Sequence, residues 1–180
     1  MKRCSWVDLR SERYIAYHDH RWGKPEHDDR QLFEMLVLES FQAGLSWLTI
    51  LNKQEAFEAA FDGFDPAVVA AYPEDKAESL MANPGIVRNR RKILAAIQNA
   101  RVFLQIQQEF GSFDRYLWGF TQGKTLVNTT GVAPTHSELS DRISRDLKAR
   151  GMTFVGTTIV YSYLQAVGVV NDHDPDCDFR

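Results

Sequence analysis

The chain holds only two cysteines, and each has a histidine near it: His18 follows Cys4, and His173 precedes Cys177 by four residues. A separation of four puts His173 and Cys177 on one side of a helical turn. Two thiolates and two imidazoles are a donor set that zinc favours, held in a tetrahedron at about 2.0–2.3 Å. The order is not that of the usual zinc finger, so spacing alone leaves zinc beside other readings. These are a buried free thiol, a surface histidine, a Cys4–Cys177 bridge, and His20 as the ligand in place of His18. The bridge is disfavoured in a reducing compartment. Four protein ligands leave no open position, so the expected metal is structural, tying the N-terminal segment to the C-terminal tail. The tail Asp172-His173-Asp174-Pro175-Asp176-Cys177-Asp178 also hints at a calcium loop, but its sixth position is Cys177 where such a loop needs glycine.

A second group is aromatic. Trp6, Tyr14, Tyr17, Trp22 and Trp47 fall in the first quarter of the chain. Any one of them alone is best read as core packing, given the area each buries. Glu39 changes the reading of the group. It stands in an apolar stretch between Leu38 and Phe41, so its carboxylate is either at the rim of a helix or facing a polar pocket. An aromatic cavity with one acid suits a flat, cationic ligand, because rings attract the cation and the carboxylate accepts its N–H groups.

A third group surrounds Phe154-Val155-Gly156, a short apolar link ahead of Thr157 and Thr158. Between two helices, such a link exposes backbone N–H groups and offers the second helix's N-terminus to a phosphate. Lys148 and Arg150 stand close by to add charge, and both threonines could add hydroxyl donors. The same connection also describes an ordinary αα-hairpin.

The elements that must position these groups are helical almost throughout. Asp28 or Asp29 caps a helix through Leu32, Phe33, Leu36 and Glu39. Gly44 breaks it, and Ser46 caps the next helix, which carries Trp47 and Leu51. Asn83-Pro84-Gly85 makes a turn before a long amphipathic helix with Ile93, Ile97 and Leu104 on one side. Thr135 and Glu138 form a capping-box pattern that opens a helix with Leu139, Ile143 and Leu147. The helix after Gly156 ends at Gly168. Only Thr125–Val132 alternates like a strand, and it reads as a loop or short hairpin. The expected fold is all-α, one domain over residues 1–180, with a helix-hairpin-helix unit at about 137–168.

The net charge of −3 argues weakly against a nucleic-acid partner. Its distribution argues the other way, with basic clusters at Arg88, Arg90, Arg91 and Lys92 and at Arg142, Arg145, Lys148 and Arg150. One basic face is enough to hold a phosphate backbone. The chain shows no secretory h-region and no apolar run of bilayer length, so a cytoplasmic protein without membrane contact is expected. No exposed apolar seam is evident, which favours a monomer.

Taken together, the strings Arg3-Cys4-Ser5-Trp6, Tyr14-Ile15-Ala16-Tyr17-His18-Asp19, Trp22-Gly23, Leu38-Glu39-Ser40-Phe41-Gln42-Ala43-Gly44-Leu45-Ser46-Trp47, Gly85-Ile86-Val87-Arg88, Phe154-Val155-Gly156-Thr157-Thr158-Ile159 and Val170-Asn171-Asp172-His173 are distinctive. Through them the chain resembles, over essentially its whole length, the bacterial 3-methyladenine DNA glycosylase I family, a branch of the helix-hairpin-helix glycosylases. The resemblance implies a structural zinc on Cys4, His18, His173 and Cys177. It implies a base pocket in which Glu39 and Tyr17 contact the damaged base and Trp47 stacks on it, with Trp22, Tyr14 and Trp6 nearby. It implies that Gly44-Leu45 wedges the stack of double-stranded, alkylated DNA, and that residues 154–158 hold its backbone. The implied reaction is hydrolytic removal of 3-methyladenine, with 3-methylguanine left open as an alternative lesion. One point differs from the family pattern. Ser40-Phe41 replaces smaller or more polar residues, which bears on pocket shape. Asp172 stands where many relatives of the wider group carry a catalytic aspartate, yet its neighbour His173 favours a supporting role beside the metal. The rival readings are a non-catalytic helix-hairpin-helix DNA-binding module, which needs no acid-lined pocket, and a nucleoside hydrolase, which needs no clamp.

Overall fold

The computed structural model describes all 180 residues. It contains nine α-helices: α1 Glu12–His20, α2 Asp29–Gln42, α3 Trp47–Ala60, α4 Pro66–Ala70, α5 Glu74–Ala82, α6 Arg90–Phe110, α7 Phe113–Gly119, α8 Glu138–Ala149 and α9 Thr157–Ala166. No helix is long and apolar enough to cross a membrane.

The core is organised around α2. Asp28 caps it by accepting from the Gln31 amide. Every residue from Leu32 to Phe41 is buried, including Glu34 and Glu39, the pattern of a helix enclosed on all sides. It packs against α3, α6, α7 and α9. Ser46 caps α3 as expected, accepting from the Thr49 amide. The expected apolar side of α6 is present at Ile93 and Ile97, while Leu104 is only half-buried.

Two local expectations need correction. The cap of α8 is Ser137, not Thr135: its hydroxyl accepts from the Ser140 amide, and Ser140 reciprocates to the Ser137 amide. Glu138 is already the first helical residue, too early to reach back. The Thr125–Val132 stretch is not a hairpin. Leu126–Val127 (β1) pairs in parallel with Val170–Asn171 (β2). Parallel partners require a long crossover, and here the crossover contains α8 and α9.

Lys92, from the basic cluster, is not a surface charge. It is buried in the first turn of α6, and its ammonium donates to the carbonyls of Phe41 (2.7 Å) and Ala43 (2.6 Å). Burial lowers its pKa, while the negative end of the α2 dipole and two acceptors favour the cation. It thereby anchors the chain where α2 gives way to the Gly44-Leu45 tip. Lys92→Met keeps the stem but strands two carbonyls, and is expected to cost about 1–3 kcal/mol. Denaturant unfolding measures that loss, and hydrogen exchange at residues 42–46 should rise.

Candidate active site

The end of α2, the tip after it and the start of α3 form one wall of a cavity of about 240 Å³. That is below the roughly 300–1,000 Å³ of drug-sized ligand sites, so the occupant has the size of a single heterocycle. Trp6, Tyr14, Tyr17, Trp22, Glu39 and Trp47 all line it. Tyr17 and Trp47 face each other with ring centroids 5.2 Å apart, and Trp6 meets Trp22 edge-on at 4.8 Å. Trp22 and Tyr17 are buried, while Trp6 is 36% exposed and forms the rim.

Glu39 is 4% exposed and has no hydrogen-bond partner in the protein. Burial alone pushes its pKa up to about 8. The Tyr17 hydroxyl is raised well above the ordinary tyrosine range, first by burial and then by the nearby Glu39. The Trp47 indole N–H is buried with no acceptor. The cavity thus collects polar groups left unpaired by the protein itself, the condition of a site that awaits a ligand.

The sequence reading missed other liners: Gln42, Ala133, Ser162, Gln165, Asp172 and Asp174. Part of that signal was available, since Thr158, Ser162 and Gln165 form a polar stripe at helical spacing on the otherwise apolar α9. Asp172 does not support the neighbouring histidine. Its Oδ2 accepts from the Tyr161 hydroxyl and the Gln165 amide, both at 2.6 Å, and its Oδ1 is buried without a partner. The Ser40-Phe41 departure does not shape the pocket. Ser40 donates to backbone carbonyls and Phe41 is packed among Phe57 and Phe61.

Cys4, His18, His173 and Cys177 are all buried, with ligand atoms within 4.8 Å of one another. They form a set able to hold a metal ion. His20 is exposed and outside it. Cys4 Sγ lies 3.3 Å from His173 Nδ1, and Cys177 Sγ lies 3.5 Å from His173 Nδ1 and 3.6 Å from His18 Nε2. Burial and the neighbouring His18 pull the His173 pKa down to about 4, leaving a neutral imidazole. The partner that orients a ligand is Asp19: its carboxylate sits 2.8 Å from His18 Nδ1 and is gripped by Arg3 at 2.7–3.0 Å. Arg3, then His18, hold the Asp19 pKa down to about 2. The two imidazoles also touch the pocket, His18 against Trp6 at 5.3 Å and His173 against Trp22 at 4.7 Å.

Two further features flank the site. The tip has Gly44 at φ +81°, a left-handed conformation with open space around it, and Leu45 is 37% exposed. The link between α8 and α9 leaves the N–H groups of residues 154–159 without any protein acceptor. Thr158 is exposed, but the Thr157 hydroxyl donates inward to Asp141 at 2.6 Å. Arg150 is committed to Asp146 and Glu109. Neither Thr157 nor Arg150 is therefore free in the way the sequence suggested.

The Glu39 pKa makes a prediction about stability. The folded state holds this proton up to about pH 8, whereas an unfolded glutamate releases it near pH 4.3. Between those values the folded chain binds more protons, so its stability falls as pH rises. Glu39→Gln should match the wild type below pH 4 and exceed it in stability at pH 9, read from thermal melts across that range.

The sequence pattern of the methyladenine glycosylase family matches residues 6–180. The chain is 48% identical over 180 residues to the Escherichia coli (strain K12) protein DNA-3-methyladenine glycosylase 1, covering 98% of this chain and 96% of that one. The crystal structure of a 3-methyladenine DNA glycosylase I superposes with a TM-score of 0.94 at 47% identity, over 98% of each chain. A tyrosine-to-phenylalanine variant of such a glycosylase, in complex with 3-methyladenine, superposes with a TM-score of 0.94 at 39% identity, over 99% of this chain and 97% of that one. Agreement of this kind in sequence and in fold, along nearly the whole length, places the chain in the methyladenine glycosylase family.

Proposed function

We propose that this protein is a DNA-3-methyladenine glycosylase, which flips the alkylated nucleotide out of double-stranded DNA and hydrolyses its N-glycosidic bond. The observation that carries the reading is Glu39: a carboxylate buried, unpaired and surrounded by tryptophan and tyrosine. Burial raises its pKa to about 8, which favours the protonated acid near neutral pH when no countercharge is at hand. A base made cationic by alkylation at N3 supplies the missing countercharge, so binding favours the ionised carboxylate. Trp47 and Tyr17 add cation–π attraction, and Trp22, Tyr14 and Trp6 close the cavity around the ring.

Flipping costs roughly a few kcal/mol of unstacking. Leu45, exposed at the Gly44 turn and held from below by Lys92, takes the vacated place in the stack. The free amides of residues 154–159, with Thr158 beside them, receive the backbone phosphate. When the C1′–N9 bond breaks, its electron pair neutralises the cationic ring, so the leaving group departs without added protonation. Water adds to C1′ and loses a proton. Asp172 is a second carboxylate lining the cavity, its Oδ1 buried without a partner in the protein. A non-catalytic DNA-binding module would have no use for an acid buried at a desolvation cost.

Zinc is the metal that the four-residue cluster suits. A tetrahedron with bonds of about 2.0–2.3 Å has edges of roughly 3.3–3.8 Å, and the thiol–imidazole approaches of 3.3–3.6 Å fall in that range. Bound there, zinc would be structural, fixing the imidazoles that back Trp6 and Trp22.

Incubation with methylated duplex DNA should release 3-methyladenine and little 7-methylguanine, as identified by chromatography. Folded protein that releases no base sinks the proposal. Glu39→Gln should slow excision about 10- to 100-fold, the worth of a charge-assisted hydrogen bond of about 1.5–3 kcal/mol, while leaving the fold intact. For the metal, elemental analysis should find one zinc per chain. Cys177→Ser should lower the melting temperature and weaken 3-methyladenine binding together, with a shift in tryptophan emission. A metal-free wild type with unchanged base affinity would exclude that role.

A further inference from the structure

The unpaired amides after α8 raise the question of what became of the carbonyls. Three consecutive ones are occupied, each by a side chain from a different helix. Asn99 of α6 donates to the Thr153 carbonyl at 2.9 Å, and its own carbonyl accepts from the Thr153 amide at 2.9 Å. Ser40 of α2 lies 3.1 Å from the Phe154 carbonyl, sharing its one proton with the Leu36 carbonyl at 2.8 Å. Ser144 of α8 donates to the Val155 carbonyl at 2.7 Å. That last carbonyl would otherwise accept from the Ile159 amide in a regular helix start, and Ile159 N–H is left free instead. Between them stands Phe154 at φ +54°, a left-handed backbone that a bulky residue holds only when its surroundings dictate it.

All three side chains are buried, at 2%, 3% and 5% exposure for Asn99, Ser144 and Ser40. They are neutral and out of reach of any external ligand. What they control is direction: they draw the partial negative charges of residues 153–155 into the protein and leave the partial positive ones unmatched. We infer that Asn99, Ser144 and Ser40 are positioning residues for backbone binding, holding the 153–155 carbonyls inward so that the following amides meet a phosphate without competition. Ser40 adds a mechanical link, since it adjoins Glu39 on α2 and so ties the base pocket to the DNA clamp. The inference rests on the reading of residues 154–159 as the DNA-backbone contact.

The experiment compares two affinities in the same folded protein: one for duplex DNA and one for free 3-methyladenine, the latter by tryptophan quenching. In Asn99→Ala/Ser144→Ala the duplex should bind about tenfold more weakly, equivalent to about 1.4 kcal/mol. Affinity for the free base should stay at the wild-type value, and Ser144→Thr, which keeps the hydroxyl, should bind duplex like the wild type. A purely structural role predicts a lower melting temperature with both affinities unchanged, and that result overturns the inference. If the double variant does not fold, Ser40→Ala gives the same comparison, with a loss of about two- to threefold expected for a shared hydrogen bond. Gly156→Asp separates the inference from the reading beneath it. The Gly156 backbone tolerates a side chain, with φ −60° and open space at Cβ, and a carboxylate there repels phosphate. If Gly156→Asp binds duplex normally, the hairpin is not the contact and both ideas fall. If it loses binding while the other variants keep theirs, the inference about positioning fails alone.

Discussion

Burying a carboxylate without a partner is costly, and the rest of this molecule is arranged so that the cost is met at one place. Glu39 sits on the one helix that is enclosed along most of its length. The phenylalanines and leucines around α2 supply the hydrophobic stabilisation that outweighs a single disfavoured group. The same enclosure sets the low dielectric in which, on the proposed function, that carboxylate would meet a cationic ring. Stability and selectivity are therefore opposed at this residue, and the pocket accepts the loss of one for the sake of the other.

The pocket is built from both ends of the chain. Trp6 and Trp22 come from the N-terminal segment and Asp172 and Asp174 from the tail, and the Cys4–His18–His173–Cys177 cluster joins them. The junction continues outward through ordinary polar contacts: Asp174 accepts from the Ser5 amide at 2.6 Å, the Lys2 amide donates to the Asp178 carboxylate, and the Asp178 amide donates to the Lys2 carbonyl. His18 and His173 lie against the Trp6 and Trp22 indoles, so the cluster sits directly behind one wall of the cavity. The Arg3–Asp19 pair behind His18 carries the same chain of support to the surface.

Much of this was legible in the residues. The helix starts at Asp28 and Ser46 and the break at Gly44 follow from local rules of capping, and the two cysteines with a histidine near each pointed to the cluster, although His20 competed with His18 until the fold separated them. What escaped was what depends on distant pairing. The β1–β2 ladder joins residues 43 or more apart in sequence, and two-residue strands carry no periodicity to read. Lys92 looked like one of a basic run because sequence cannot show that two helix-end carbonyls wait for it. Asp172 was assigned by adjacency to His173, whereas its geometry sends it toward Tyr161 and Gln165. Arg150 and Thr157 read as donors to DNA because the partners that occupy them, Glu109 and Asp141, are brought up by the fold, although Asp146, four residues before Arg150, is a local sign that this charge is paired.

The cluster that joins Cys4 to Cys177 also sets an order of events during synthesis. A tie across so many residues closes the longest loop available to the chain, and such loops carry the largest closure entropy. On the ribosome, where folding proceeds from the N-terminal side, α1, α2 and α3 can gather before the tail has been made. The Trp6 and Trp22 wall can lean on Tyr14 and His18 from the start, but its contact with His173 waits until the tail arrives. A nascent chain would hold a compact helical core and a cavity still without its Asp172 and Asp174 wall, so the pocket closes only once the tail has been made.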